Sequence, residues 1–213
     1  MPVRRDGGAL RGGAPRAVWL SSESDPRRVS ARSVAADLVR ADLAPHLAWN
    51  PCSGEVVQLL PATRAGLLLG GVGREGRVCL QIMVVAQARD PFTGTVMAGL
   101  DPIMRWLDSW NVARRWPAGP PLSVPHSYHS GRDRRAWARG GHYGASQVPE
   151  AARPDPGGID IRRVTGPDTP VAPLPRPRGV PGAREVPNPP LLAPRIPSTF
   201  EPITAPEPAS SVS

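Results

Sequence analysis

Arg77-Val-Cys-Leu-Gln-Ile-Met-Val-Val-Ala86 decides the fold. Its residues are almost all aliphatic or β-branched, with a single amide at Gln81. Both alternating sets are apolar, the pattern of a strand covered on both faces, so this is the expected central strand. Upstream, His46-Leu-Ala-Trp and Glu55-Val-Val-Gln-Leu-Leu flank Asn50-Pro-Cys-Ser-Gly, two apolar runs around a turn-forming segment, which predicts a hairpin. Farther back, Val34-Ala-Ala-Asp-Leu-Val-Arg has helical spacing, with Ser30 or Ser33 as its cap, and Arg16-Ala-Val-Trp-Leu reads as a short buried strand. Downstream, Leu100, Ile103, Met104, Leu107 and Trp110 form an i, i+3, i+4, i+7 stripe, so 97–110 is predicted as an amphipathic helix. Strands mixed with helices give an α/β fold, a mixed central β-sheet flanked by helices, over residues 14–164. No internal repeat is visible.

Composition bounds what surrounds this domain. The chain has 213 residues with 29 prolines and 22 glycines, and about half of the prolines fall after residue 164. Proline fixes φ and removes a donor, so 165–213 is predicted to be a disordered Pro-rich tail. Residues 1–13, rich in glycine and arginine, are expected to be flexible. No apolar run is long enough for a membrane span, and the N-terminus lacks the apolar core of a signal peptide. The expected location is therefore cytoplasmic. Two cysteines, Cys52 and Cys79, are too few for a disulfide scaffold or a cysteine-based zinc site. The net charge is +8 and every basic residue is arginine, since lysine is absent. Arginine with alanine, glycine and proline is what a GC-rich coding bias produces, while a basic surface also favours polyanions.

Three segments carry a resemblance when taken in order: Ala44-Pro-His-Leu-Ala-Trp-Asn-Pro-Cys-Ser-Gly-Glu-Val-Val-Gln, Arg74-Glu-Gly-Arg-Val-Cys-Leu-Gln-Ile, and Gly141-His-Tyr-Gly-Ala-Ser-Gln-Val-Pro-Glu followed by Asp155-Pro-Gly. Together they resemble the zinc-dependent N-acetylmuramoyl-L-alanine amidases and peptidoglycan recognition domains. Within that family the chain looks most like the endolysin-type branch of actinobacteria and their phages. The resemblance spans most of 14–164 and none of the tail. It implies a zinc held by three protein ligands with an open position for water, and a Glu on the central strand as acid/base.

Carried over residue by residue, that set is mostly missing. The third ligand falls on Asp155, the surviving position. The second falls on Ala145 and the first on Leu20 or a neighbour, and neither alanine nor leucine has a donor atom. The acid/base position falls on Met83, which cannot transfer a proton. Alternating strand geometry puts His142 on the opposite face from Ala145, so it is a poor replacement ligand. His126 and His129, in a Pro/Ser/Gly-rich loop, could chelate only if that loop were helical. Asp155-Pro-Gly also reads as a simple turn.

The resemblance thus implies a degenerate amidase-like domain that binds peptidoglycan or a muropeptide through His46, Trp49, Gln58 and Gln147 and the arginines, with no catalytic residue and no cofactor. Trp49 reads equally as core. Two alternatives stand beside it. One is an active amidase that cleaves the bond between muramic acid and the stem peptide, which requires zinc. The other is a basic structural or nucleic-acid-associated protein. Arg132-Asp-Arg-Arg-Ala-Trp-Ala-Arg has one aromatic and no alternation of aromatic with basic groups, so neither nucleic acid nor a membrane is the expected partner.

Overall fold

The computed structural model describes residues 3, 5–122, 133–150 and 155–167. The chain divides into two units, Met1–Pro175 and Arg176–Ser213, and every described residue belongs to the first. The tail from residue 168, the loop holding His126 and His129, and residues 151–154 lie outside the described residues.

Five strands form one mixed sheet: β1 (Arg16–Ser21), β2 (Leu47–Trp49), β3 (Val56–Gln58), β4 (Cys79–Val84) and β5 (Gly141–Gly144). Their order is β3-β2-β4-β1-β5, so the aliphatic stretch quoted above is the middle strand. β4 runs parallel to β1 and β2, and β5 runs parallel to β1, while β3 returns antiparallel to β2 as the predicted hairpin. All six residues of β4 are buried, as a strand covered on both faces requires.

Alternation along the strands sorts side chains into two cores. One holds Trp19, Trp49, Leu80, Ile82 and Val84, covered by helix α2 (Leu100–Ser109) through Leu100, Ile103, Met104 and Leu107. Ile161 and Val164 of the short helix α4 (Ile161–Thr165) join it. The other holds Val18, Leu20, Ala48, Cys79 and Met83, covered by helix α1 (Ala31–Arg40) through Ala31, Val34 and Ala35 and by Trp137 of helix α3 (Arg134–Ala138). Helices on both faces of a mostly parallel sheet make this a three-layer α/β arrangement.

Local chemistry explains the ends of the elements. Ser30 caps α1: its side chain accepts from the Ser33 N–H at 3.0 Å, as an N-cap oxygen does. Glu55, reaching over from the hairpin, accepts from Ala31 N at 2.8 Å and adds a carboxylate where the helix dipole favours one. Helix α2 starts at Leu100 rather than Met97, because Met97 (φ 51°) and Gly99 (φ 80°) are left-handed. Gly99 also lies against Gly54, where a Cβ would come within 2.9 Å of the Gly54 carbonyl.

The described part of the N-terminal segment is bonded to the rest of the domain. Asp6 receives two bonds from the Arg64 guanidinium at 2.9 Å, Gly7 N donates to Ala65 O at 2.7 Å, and Arg11 N donates to Arg74 O at 2.8 Å. Gly12 bridges to Gly76. Backbone groups of this segment thus find partners in the 65–77 loop, which composition cannot reveal.

Candidate functional site

The parallel strands β1, β4 and β5 end at one edge of the sheet, and ligands of open α/β sheets bind outside such an edge. Leu20 stands opposite Met83 in the β1–β4 ladder. Gly144 stands opposite Trp19, so Ala145 leaves β5 at the same level and enters a 3-10 turn, Ala145–Gln147. Leu20, Met83 and Ala145 are all buried in one apolar cluster with Val18 and Tyr143. The positions assigned to two ligands and the acid/base are therefore neighbours in space, and all three are hydrocarbon or thioether.

Asp155 is tied to the same corner. Its Oδ2 accepts from Ser146 N at 2.9 Å and its Oδ1 from Gly157 N at 2.8 Å. The second bond is the Asx turn that Asp-Pro-Gly favours. Only 3% of Asp155 is exposed. Burial pushes its carboxyl up to about 6, against the two N–H donors, which pull it down; the nearby Glu23 carboxylate pushes it up further. Asp155 could thus exchange a proton near neutrality, with the Glu23 carboxylate nearby.

This donor set does not fit zinc. A catalytic site needs three ligands, and Asp155 is the single one at the four positions. Among the described residues no group of three or more His, Cys, Asp or Glu side chains is placed to hold a metal ion. His142 faces the opposite core, where its Nδ1 accepts from the Trp19 indole at 3.1 Å and its ring stacks on Trp19. His142 lies across the sheet from Leu20, Met83 and Ala145 and so does not stand in for a ligand beside Asp155. Burial pulls His142 down to about 3, and its Nε2 has no partner among the described residues.

The four expected substrate contacts are not presented together. His46 is fully buried: Gln81 N donates to its Nδ1 at 3.0 Å, so Nε2 carries the proton and donates to Arg64 O at 2.8 Å. Burial pulls its pKa down to about 4. Trp49 is core, with its ring edge-on to Trp19 and Phe92 and its N–H donating to Ala98 O at 2.8 Å. Gln147 is a clamp: its Oε1 accepts from Gly144 N at 3.0 Å and its Nε2 donates to Gly119 O at 2.9 Å. Gln58 alone is exposed, on the edge strand β3. The three buried residues build the platform and do not line an open surface.

Open space at this edge lies in the loops instead. A groove of about 770 Å³ is lined by Asp25 and Arg27 after β1, Cys52 of the hairpin turn, and Gln87, Asp90 and Thr95 after β4. Val96, 77% exposed, also borders it. Both signs of charge and an aliphatic side chain suit a ligand with ionic groups and a small apolar one. Two non-glycine residues with left-handed backbone, Glu23 (φ 55°) and Met97 (φ 51°), stand close in sequence to these linings, and such backbone clusters at binding sites. The sequence reading missed the groove. The available signal was topological, since these loops follow strands that only the sheet order shows to be parallel neighbours.

Among the described residues no helix is long and apolar enough to cross a membrane. No family model matches the chain, and no curated protein or solved structure is significantly similar to it.

Proposed function

We propose that residues 14–164 are an amidase-like domain that binds peptidoglycan or a muropeptide without hydrolysing it. The observation that carries this reading is the convergence of Leu20, Met83, Ala145 and Asp155 at one corner of the sheet. These four positions lie in separated strings of sequence and correspond, in the resemblance, to the metal ligands and acid/base of zinc amidases. Their meeting at the edge where such folds bind ligands supports the resemblance. Leucine, methionine and alanine at three of them support a loss of the metal and its activated water. Filling the corner with Leu20, fully buried, replaces a group that needs a partner by apolar area worth about 1.5–3 kcal/mol. Recognition then belongs to the groove beside it, where guanidinium, carboxylate and Val96 suit the carboxylates, amines and methyl groups of a peptide-bearing glycan. The expected setting is the cytoplasm, with access to the wall on lysis.

Sedimentation with insoluble peptidoglycan tests this. The full chain should be retained and release no new amine ends. The pair Arg27→Glu with Asp90→Arg keeps net charge constant and should weaken retention at least ~5-fold. No retention at low salt would sink the binding half. Amine release that stops with chelator would instead establish the active amidase.

A further inference from the structure

The opposite edge of the sheet, where β1, β4 and β5 begin, gathers arginines from four separate segments of the chain. Arg11 precedes β1, Arg74 and Arg77 precede β4, Arg135 and Arg139 precede β5, and Arg115 lies across the start of β5. Hydrogen bonds tie these segments to one another at this edge. Arg11 N donates to Arg74 O at 2.8 Å, and Arg77 N donates to Gly13 O at 3.0 Å. Arg115 donates to the carbonyls of Arg139 and Gly140. Arg134 spans from α3 to Glu75 at 2.9 Å, which links the β4 and β5 approaches. Buried Arg16 donates to Trp137 O at 2.8 Å beneath them.

The charge of this end is not neutralised. None of the six guanidiniums named first is within ion-pair distance of a carboxylate among the described residues, and five of the six are exposed, with Arg74 half-buried. The carboxylates here are Glu75 and Glu150, both bonded to Arg134, and Asp133, which caps α3. Elsewhere Arg28, Arg32, Arg40, Arg64 and Arg114 each stand within 4.0 Å of a carboxylate. Residues 168–213 contain four arginines and four carboxylates, so the whole net charge of +8 belongs to 1–167.

We propose that this edge is a docking surface for the phosphate backbone of duplex DNA, bound without regard to base sequence. Planar guanidiniums pair bidentately with phosphate oxygens. Duplex DNA has a very high linear charge density, so displacing its counterions favours a clustered basic surface. Single strands are disfavoured because stacking platforms are missing: Val56, Val96 and Leu122 are the exposed large apolar residues among those described, and no aromatic is with them. A lipid surface is disfavoured for the same want of an apolar side chain to insert at this edge. The surface is separate from the groove at the other edge, so the proposal stands or falls independently of peptidoglycan binding.

Fluorescence anisotropy of the full chain with a labelled mixed-sequence duplex of about 30 base pairs, from 30 to 300 mM salt, is the test. With four to six phosphates engaged, log K should fall against log salt with a slope of about −4 to −5. Arg77→Glu with Arg135→Glu should weaken binding at least ~10-fold at 50 mM salt. Arg40→Glu with Arg105→Glu changes net charge equally on α1 and α2 and should weaken it less than ~3-fold, with unchanged melting curves confirming that both variants fold. Equal losses from the two pairs would reduce the effect to net charge and overturn the proposal. No binding at 50 mM salt would overturn it too, as would a preference for inorganic polyphosphate or single-stranded DNA over the duplex at equal phosphate concentration.

Discussion

His46 and His142 are held neutral by burial, His46 with its Nδ1 facing the N–H of Gln81 and His142 with its Nδ1 facing the indole N–H of Trp19. Neither nitrogen can take a proton without placing two hydrogens against each other. The unfolded chain protonates both at about the ordinary 6.5, whereas the folded values are about 4 and about 3. Their stabilisation is complete above pH 6.5 and is lost as pH falls. Asp155 works the other way, since its raised value of about 6 lets the folded state bind a proton that the unfolded carboxyl refuses until about 3.8. Between pH 6 and 4 the unfolded state therefore gains about one proton more than the folded state, and stability should drop by roughly 1.4 kcal/mol per pH unit. Urea unfolding across that range measures it. His142→Phe leaves one histidine against one aspartate and should flatten the profile, so a steep slope in that variant would refute the assignment. That Leu20, Met83 and Ala145 offer no donor atom was readable at this scale, because hydrocarbon and thioether side chains keep that chemistry whatever surrounds them. That His46, Trp49 and Gln147 are interior was not readable, because a polar or amphipathic side chain does not announce whether its partners are backbone or ligand.

At the scale of elements, periodicity carried most of the information. The apolar run around β4, the hairpin and the stripe of α2 all appear where the pattern places them. The helix boundary moved from Met97 to Leu100 because of backbone conformation, which a hydrophobic stripe does not encode. The turn after β5 shows how tightly loops and strands are joined. Gly157 has φ 79°, and a Cβ there would collide with the Ala88 carbonyl in the loop that follows β4. Gly157→Ala should therefore destabilise the fold by about 2–4 kcal/mol, from left-handed strain plus a steric clash with backbone. It should also release Asp155, whose Oδ1 depends on the Gly157 N–H. Thermal melts give the first effect. The second removes one of the two donors that pull the Asp155 carboxyl down, so its value should rise above about 6 in a carbon-detected NMR titration, and a fall toward 3.8 would show instead that the corner had opened and exposed the carboxyl.

At the scale of the whole molecule, the two sheet edges have opposite characters: a buried carboxylate and a mixed-charge groove at one, an arginine surface at the other. The N-terminal segment contributes to the second edge through Arg11 and braces the 65–77 loop. Deleting residues 1–12 removes the Asp6–Arg64 pair and several backbone bonds, each worth about 0.5–1.5 kcal/mol, and should lower stability by about 2–4 kcal/mol. A deletion variant that melts with the full chain would show the segment to be dispensable. By itself the sequence determined the class of fold, its central strand and the absence of donor atoms at Leu20, Met83 and Ala145, because these follow from residue chemistry and from periods of 2 and 3.6 along the chain. Only the tertiary structure decided which polar side chains are spent on the interior, that the groove lies in the loops after β1 and β4, and that arginines more than one hundred residues apart share one edge. Those are consequences of strand order and direction, which bring distant segments together and leave no trace in local sequence.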